Sequence, residues 1–342
     1  MSLLPYLFRV ADRENLSSLD AEHAMISILS GEATSTLIGA FLVALRMKGE
    51  TDEELLGFAR AMRAKATPVD AGLAGEPLLD IVGTGGDGHG TFNISTAAAF
   101  VAAGAGVRVA KHGNRSISSL CGSADVLERL GVLLITDPEL MGKAVRDVGI
   151  GFLYAPALHP AMKYAQPARR ELRMRTVFNL LGPLTNPAGA TRQLVGAPSV
   201  PAADLLAKVL ASLGLARAFV VHGSDGMDEL TTTGSTTVLE IHSGAIANYV
   251  LTPADFGVPM ARLDDLRGGD SAENAAIVRS VLGGEKGPRR DIVLVNSAAA
   301  LVAAGRAADF LDGMAIATES IDSGAALRKL EDLAAFTQRH FR

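Results

Sequence analysis

The sequence predicts an α/β fold: a small N-terminal all-helical domain, then a larger α/β domain with a central, mainly parallel (mixed) sheet flanked by helices. Two observations carry this prediction. Residues 1–68 show helical patterns only. From about Leu78 onward, short apolar runs typical of strands alternate with helical stretches. That alternation is typical of a parallel sheet with helices on both faces.

Composition limits the possible functions. The chain has 342 residues, of which 48% are hydrophobic and 20% charged, so it is expected to be globular with two domains. Its net charge of −5 supplies no general attraction for nucleic acid. Tryptophan is absent and aromatic residues make up 5%, which argues against base-stacking surfaces. Any basic ligand site must therefore be local.

The single cysteine, Cys121, rules out a disulfide framework within the chain and suits a reducing compartment. The N-terminal stretch lacks the basic region and apolar core of a signal peptide. Apolar stretches such as 97–107 and 292–304 are too short for a membrane span. We therefore expect a cytoplasmic protein without a membrane partner.

The helical domain is predicted from caps and apolar density. The run SLDAE resembles a helix start, with Glu22 in the place of a capping-box acid. The stretch Ser35–Lys48 is densely apolar and predicts a buried helix. Thr51 is the expected cap of a further helix, which Pro68 ends. The apolar faces of these helices need the next domain or another subunit to pack on.

The α/β domain is expected over residues 75–342, after a linker at 69–76. A segment returning near 160–185 is expected to join the helical domain. Antiparallel strands are possible near 238–249, where few residues separate one strand-like run from the next along the chain. The strand-like runs are Asp80–Val82, Arg108–Ala110, Gly151–Tyr154, Arg217–Val221, Val238–Ile241 and Asp291–Val295.

The stretch Leu78–Thr96 predicts a phosphate cradle. A short apolar strand leads into five glycines within eight positions, and a hydroxyl-capped, alanine-rich helix follows. Glycines allow close backbone approach, and free N–H groups at a helix start attract anions. An ordinary tight turn is the weaker interpretation. The loop is neither a dinucleotide fingerprint nor a Walker loop, so it predicts a phosphorylated ligand of open type.

A second polar loop follows the next strand, between Val109 and Gly131, and a helix is expected from about Ala124. Its Lys and Arg side chains could neutralise the charge of a bound phosphate, and its hydroxyl and N–H groups could orient that phosphate. A solvated basic turn is the alternative, weakened because both loops end strands, where open sheets bind ligands. The polar residues are Lys111, His112, Asn114, Arg115, Ser116, Ser118, Ser119 and Ser123.

Two further clusters complete the pattern. Between His159 and Ala188, five basic residues lie within thirteen positions, and prolines prevent one long helix. This patch could serve a carboxylate or a phosphate, although a solvated helix face explains part of it. After a later strand, Asp228 and Glu229 lie on a polar turn with Asp225. Adjacent carboxylates beside a phosphate site are typical of Mg²⁺, with helix capping as the alternative.

With these clusters in view, the chain resembles the anthranilate phosphoribosyltransferase family over roughly residues 3 to 335. The matching motifs are DIVGTGGDGHGTFNIST, KHGNRSISS with GSADVLERLG, FLYAPALHPAMK with RREL, RTVFNLLGPLTNPA and VVHGSDGMDELTTTG. The resemblance implies Mg²⁺-dependent transfer of the 5-phosphoribosyl group from phosphoribosyl pyrophosphate to the amine of anthranilate, in tryptophan biosynthesis. It also implies two Mg²⁺ ions and a homodimer joined through the helical domains. Association with an amidotransferase subunit stays open.

The resemblance also implies roles for individual residues. Lys111, Asn114 and Arg169 would be catalytic, with Arg169 meeting the carboxylate of anthranilate. Ser95, Asp228 and Glu229 would bind Mg²⁺. The substrate-binding set would be Gly83, Gly86, Asp87, Thr91, Asn93, Ile94, Ser95, Thr96, Lys111, His112, Gly113, Asn114, Arg115, Ser116, Ile117, Ser118, Ser119, Ser123 and Arg169.

Two positions depart from the family pattern. Leu120 stands where many members have Lys, which removes a cationic contact near the substrate. Arg173 stands where Gly is common, and it could alter the anthranilate channel or only the surface. One alternative function is a nucleoside phosphorylase of the same fold, where Asp228 and Glu229 have no obvious task. The other is a non-catalytic nucleic-acid-binding relative, which the acidic net charge disfavours.

Overall fold

The computed structural model describes residues 2–73, 75–85, 88–116 and 120–340. Its N-terminal part is all-helical, as predicted, and Thr51 caps the fourth helix in a reciprocal capping box with Glu54. The prediction that Glu22 is the capping-box acid of the second helix is wrong. Ser17 is the N-cap, and its hydroxyl accepts a hydrogen bond from the Asp20 N–H at 3.1 Å. The first four helices are α1 (Leu4–Ala11), α2 (Ser18–Leu29), α3 (Ser35–Lys48) and α4 (Asp52–Lys65).

One seven-stranded mixed sheet organises the rest of the chain, in the order β3-β2-β1-β4-β5-β6-β7. The first five strands run parallel to one another, β6 is antiparallel to β5, and β7 is antiparallel to β6. This confirms the mainly parallel, mixed sheet and the antiparallel pairing near 238–249. The strands are β1 (Leu78–Gly83), β2 (Arg108–Gly113), β3 (Ile150–Tyr154), β4 (Arg192–Gly196), β5 (Arg217–Gly223), β6 (Thr236–His242) and β7 (Ala245–Leu251).

Helices cover both faces of this sheet. Prolines break the segment after β3 into short helical pieces, as predicted, including 3-10 turns at Pro160–Tyr164 and Gly182–Leu184. The α-helices are α5 (Ile94–Gly104), α6 (Ser123–Arg129), α7 (Pro138–Asp147), α8 (Ala155–Leu158), α9 (Gln166–Leu172), α10 (Phe178–Leu181), α11 (Val200–Ser212), α12 (Ser271–Leu282), α13 (Pro288–Ala303), α14 (Phe310–Asp322) and α15 (Ala325–His340).

Two sequence predictions about strands are wrong. The run Asp291–Val295 is not a strand, because it lies inside the sixteen-residue helix α13. A short apolar run has no period that separates a buried helix from a buried strand, and the better indicator was Pro288 at the helix start. The strand β4 was missed, although it lies between β1 and β5 in the sheet. Its sequence RQLVG carries two polar residues in five positions, and its Gln193 is nevertheless buried.

Two hydrophobic cores hold the molecule together. The first lies between the sheet and the helices α5 and α12–α15. The second joins α1–α4 to α11 and to the other face of β4–β6. Buried side chains of the segment 165–184 lie in this second core, among them Ala165, Phe178 and Leu184. The N-terminal helices therefore share their core with the α/β body.

Both departures from the family pattern lie at exposed positions. Leu120 has 82% of its surface exposed. Arg173 ends α9 in the left-handed conformation, with φ at +47°. Glycine adopts that conformation without steric cost, whereas a residue with a Cβ adopts it less readily. Within the described residues, no helix has the length and apolar character needed to cross a bilayer.

Candidate active site

The predicted loops meet at one edge of the sheet. The strands β1, β2, β4 and β5 are neighbours and parallel, so their carboxyl ends lie on the same side. Open sheets bind ligands at this edge. The segment after β3 reaches the same place, because Arg175 Nη1 donates to the Gly85 carbonyl at 2.8 Å. The glycine loop, the basic loop and the acidic turn therefore surround one site.

Residues 227–230, called here the carboxylate turn, are fitted into a notch at the ends of β1 and β4. Asp228 Oδ2 accepts from the Gly85 N–H at 2.9 Å. A Cβ on Gly83 would lie 2.7 Å from that same oxygen. A Cβ on Gly196, the register partner of Gly83, would overlap the Asp228 carbonyl oxygen. Two missing side chains thus leave the space that Asp228 fills.

Lys111 is a buried cation at the centre of the site. Its ammonium donates to the Ile81 carbonyl at 2.7 Å and to Ser95 Oγ at 3.3 Å. Burial lowers the pKa of Lys111, and the carboxylates of Asp80 and Glu229 oppose that shift. Lys111 therefore connects the start of α5 with the carboxylate turn and places positive charge between them.

The Asp80 carboxylate lies near Lys111 and favours its charged form. It is fully buried and accepts from the His112 N–H at 3.1 Å and from Asn186 Nδ2 at 2.8 Å. Asn186 Nδ2 also donates to the Ala110 carbonyl at 2.8 Å. Burial raises the pKa of Asp80 to about 6, against the bond from Asn186 and the charge of Lys111. This network ties the middle of β1 and of β2 to the segment after β3.

His112 and His159 form a buried pair of neutral imidazoles. Their ring centroids lie 5.1 Å apart. Burial lowers the pKa of His112 to about 3 and that of His159 to about 4. The His112 ring makes a hydrogen bond to the backbone of Gly182, and the His159 ring makes one to the backbone of Thr185. Both Nε2 atoms are buried and have no partner among the described residues, so each keeps an unused capacity to accept a hydrogen bond.

The start of α5 differs from the predicted hydroxyl-capped helix. Its cap is Asn93, whose side chain makes no capping bond and instead contacts Cys121 and Asn274. The side chain of Ile94 lies in the core, and its N–H donates to the Phe92 carbonyl. Thr96 is also buried. The Ser95 hydroxyl and the first-turn amides other than that of Ile94 therefore remain as contacts toward an anion.

The loop after β2 is held by α6, which begins at Ser123, close to the predicted start. Asp125 accepts from the N–H groups of Ser116 and Gly122 at 3.1 and 2.9 Å. The Arg115 guanidinium bonds Asp125 and Glu128 at 2.7 to 2.9 Å, and these partners raise its pKa. The Arg115 guanidinium is thus paired with two carboxylates of its own chain. Asn114 is exposed beside it.

Arg169 lies on α9, in the segment after β3. Its guanidinium lies 5.1 Å from the ring centroid of Phe178, in a cation–π arrangement. Burial lowers the pKa of Arg169. A half-buried cation stacked on an aromatic ring is oriented to meet a planar carboxylate.

The remaining predicted residues are placed as follows. Thr91 makes an isolated antiparallel bridge to Arg267. Gly113 has no room for a side chain, because a Cβ would overlap Ser123 Oγ. The residues outside the described part of the chain are Gly86, Asp87, Ile117, Ser118 and Ser119.

The sequence prediction missed four residues of this site: Asp80, His159, Arg175 and Asn186. In the sequence pattern, Arg175 is only one member of a basic patch, and Asp80 is only one residue of an apolar strand. A charged residue inside an otherwise apolar strand, as in LLDIV, was the available indicator, because a buried carboxylate requires partners. Those partners are distant in the sequence; Asn186 lies 106 positions from Asp80.

The donor set suits Mg²⁺ bound together with a phosphorylated ligand. No cluster of three or more His, Cys, Asp or Glu residues able to hold a metal occurs in the described ranges. Mg²⁺ is commonly held by one or two carboxylates, with waters and substrate phosphates completing its shell. Asp228 and Glu229 supply hard oxygen donors of that kind, beside the N–H groups that start α5.

Comparison with known proteins identifies related sequences over nearly the whole chain. The family model described as "Glycosyl transferase family, helical bundle domain" matches residues 4–66. The model described as "Glycosyl transferase family, a/b domain" matches residues 75–327. The anthranilate phosphoribosyltransferase of Solibacter usitatus (strain Ellin6076) is 62% identical, covering 98% of this chain and 99% of the relative. That of Moorella thermoacetica is 53% identical, over 96% of this chain and 97% of the relative.

Solved structures agree with the sequence matches. Anthranilate phosphoribosyltransferase from Thermus thermophilus superposes with a TM-score of 0.92 at 45% identity, covering 97% of this chain and 99% of that chain. The Saccharomyces cerevisiae enzyme, in complex with PRPP and Mg, gives a TM-score of 0.90 at 32% identity, covering 98% of both chains.

Proposed function

This chain belongs to the anthranilate phosphoribosyltransferase family, and we propose how its own residues perform the family's reaction. The reaction transfers the 5-phosphoribosyl group from phosphoribosyl pyrophosphate to the amine of anthranilate. The products are N-(5-phosphoribosyl)anthranilate and pyrophosphate, in the second step from chorismate to tryptophan. The observation that carries the residue assignment is the carboxylate turn facing the glycine loop, with Lys111 between it and α5.

The phosphoribosyl pyrophosphate side of the site handles the leaving group. Breaking the C1–pyrophosphate bond builds negative charge on pyrophosphate and positive charge on the ribose ring. We assign Asp228, Glu229 and the Ser95 hydroxyl as ligands of two Mg²⁺ ions, which when bound neutralise pyrophosphate charge. Lys111 adds a fixed positive charge, and the backbone N–H groups at the start of α5 donate hydrogen bonds to the leaving pyrophosphate. Counting bound Mn²⁺ per chain in the presence of pyrophosphate tests the number of ions.

The anthranilate side orients a nucleophile that needs no strong base, because the neutral aryl amine already carries a lone pair. We propose that Arg169 meets the carboxylate, that Asn114 lies beside it, and that His112 Nε2 accepts from the amine. Gly83 leaves room for the approach to C1. Placement of this kind can supply several kcal/mol of the barrier. The displacement inverts C1 without a covalent intermediate, so trapping a ribosyl-enzyme adduct would contradict it.

Replacing Arg169 with alanine (Arg169→Ala) should weaken anthranilate binding selectively. A charged hydrogen bond to a carboxylate contributes about 1.5–3 kcal/mol, so we expect the KM for anthranilate to rise about 10-fold or more. The KM for phosphoribosyl pyrophosphate should change much less. Initial rates from the loss of anthranilate fluorescence give both constants.

The adjacent Arg170 provides a matched control, because it is exposed where Arg169 is half-buried. Arg170→Ala removes the same charge one position away and should leave both KM values nearly unchanged. Equal increases in the two KM values of Arg169→Ala would rule out Arg169 as the carboxylate contact.

We propose that residues 1–68, with the returning segment near 160–185, form the helical domain through which two chains join as a homodimer. The support is apolar surface on α1 and α3, where Phe8 and Met47 are 62% and 72% exposed. Phe8→Glu should therefore give a monomer in sedimentation velocity. Leu311, similarly exposed on α14, is the control, and Leu311→Glu should leave the dimer intact. A dimer that survives Phe8→Glu would place the interface elsewhere.

We also propose a cytoplasmic location. The single cysteine, Cys121, is a buried thiol and leaves the chain without an internal disulfide. Such cysteine usage suits a reducing compartment. Cell fractionation followed by an activity assay tests this location.

A further inference from the structure

The carboxylate turn is fastened at both of its ends by polar side chains that do not belong to the metal-binding pair. Leu230 directly follows Glu229 and is held by Asn296 of α13. Met227 directly precedes Asp228 and is held by Asp225. The metal acids thus lie between two anchored backbone positions.

Asn296 completes a two-bond pairing with the backbone of Leu230. Its Oδ1 accepts from the Leu230 N–H at 3.0 Å, and its Nδ2 donates to the Leu230 carbonyl at 2.9 Å. Nδ2 also donates to the Ile292 carbonyl in its own helix at 2.9 Å. Asn296 is fully buried among apolar residues of α13. A buried amide is costly unless its groups are bonded, and here the bonds reach the residue next to Glu229.

Asp225 fastens the other end. Its Oδ1 accepts from the Met227 N–H at 3.0 Å, while its Oδ2 accepts from the Thr231 hydroxyl at 2.5 Å and from the Thr233 hydroxyl. The carboxylate therefore bonds residues on both sides of the Asp228–Glu229 pair. All three of these hydrogen bonds lie within the loop between β5 and β6.

We propose that Asn296 and Asp225 are positioning residues for the Mg²⁺ ligands Asp228 and Glu229, a proposal that rests on the function assigned above. They act through the backbone on either side of the pair and contact neither substrate. Residues behind a metal-binding pair set the direction of its oxygen atoms, and their loss typically lowers metal affinity about 10- to 100-fold.

The test replaces Asn296 with alanine and uses Ser297→Ala as the matched control. Ser297 is equally buried on the same helix, but its hydroxyl donates to the Val293 carbonyl, away from the carboxylate turn. Mn²⁺ binding in the presence of pyrophosphate is followed by electron paramagnetic resonance. We expect Asn296→Ala to weaken Mn²⁺ binding about 10-fold. Anthranilate binding, followed by its fluorescence without metal, should not change, and Ser297→Ala should match the wild type in both measurements.

A purely structural role gives a different result. It would lower the thermal midpoint of Asn296→Ala while leaving Mn²⁺ affinity unchanged below the transition, and that outcome would overturn the proposal. If Asn296→Ala does not fold, Asp225→Asn carries the test, with the same weakening of Mn²⁺ binding expected and an unchanged affinity overturning it. A wild-type chain that binds no Mn²⁺ with pyrophosphate would instead overturn the proposed metal site itself.

Discussion

Converting both acids of the carboxylate turn to amides (Asp228→Asn with Glu229→Gln) is expected to lower Mg²⁺-dependent turnover by about 1,000-fold or more. The amides keep the size of the side chains and remove the negative charges that hold the metal. The Gly85 N–H still finds an oxygen acceptor at position 228, so the loop keeps its bond. Turnover is measured from the loss of anthranilate fluorescence over a range of Mg²⁺ concentrations, and the fold from circular dichroism.

Glu331 and Asp332 provide the control for this double change. They are adjacent acids exposed on α15, so Glu331→Gln with Asp332→Asn makes the same change of charge away from the site. This control should retain wild-type turnover. Residual activity within about 10-fold of wild type in the Asp228/Glu229 variant would show that the pair is not the main metal ligand.

A side chain at Gly83 should reduce catalysis far more than it reduces stability. The Cβ of Gly83→Val would lie 2.7 Å from Asp228 Oδ2, so the carboxylate must leave its present position. We expect turnover to fall about 100-fold or more, by analogy with the cost of misplacing a catalytic group. Overpacking costs about 1–3 kcal/mol of unfolding free energy, which a domain of this size tolerates. Kinetics and urea unfolding of the same preparation separate the two effects.

Gly39 is the matched control for Gly83. It lies in α3, and a Cβ there meets no atom within 4 Å. Gly39→Ala should leave turnover unchanged. Gly83→Ala should already lower turnover, since the clash begins at Cβ. Wild-type turnover in Gly83→Val would show that Asp228 does not need the notch between β1 and β4.

Local chemistry explains what sequence reasoning could predict here. Glycine loops, capping residues and adjacent carboxylates are properties of short stretches, so the loops after β1, β2 and β5 can be located from the sequence. Their convergence followed from the rule that parallel strands end at one edge. The helical cap at Thr51 was predictable for the same reason, because its partner Glu54 lies three positions away.

Pairings between distant residues account for what was missed. Asn186 reaches Asp80 across 106 positions, and Asn296 reaches Leu230 across 66. No local pattern marks either contact. The wrong strand at Asp291–Val295 hid the second of them, because α13 had to be recognised as a helix before Asn296 could be placed behind the carboxylate turn.

The shared second core has a consequence for the order of synthesis. The four N-terminal helices are complete at Lys65, but the side chains that close their core extend to Ile241. At about 5–20 residues per second, a ribosome needs roughly 9 to 35 s to make that intervening length. Until then the nascent helices have only one another, or a chaperone, to cover their apolar faces. The part of this chain made first is therefore completed by residues made much later.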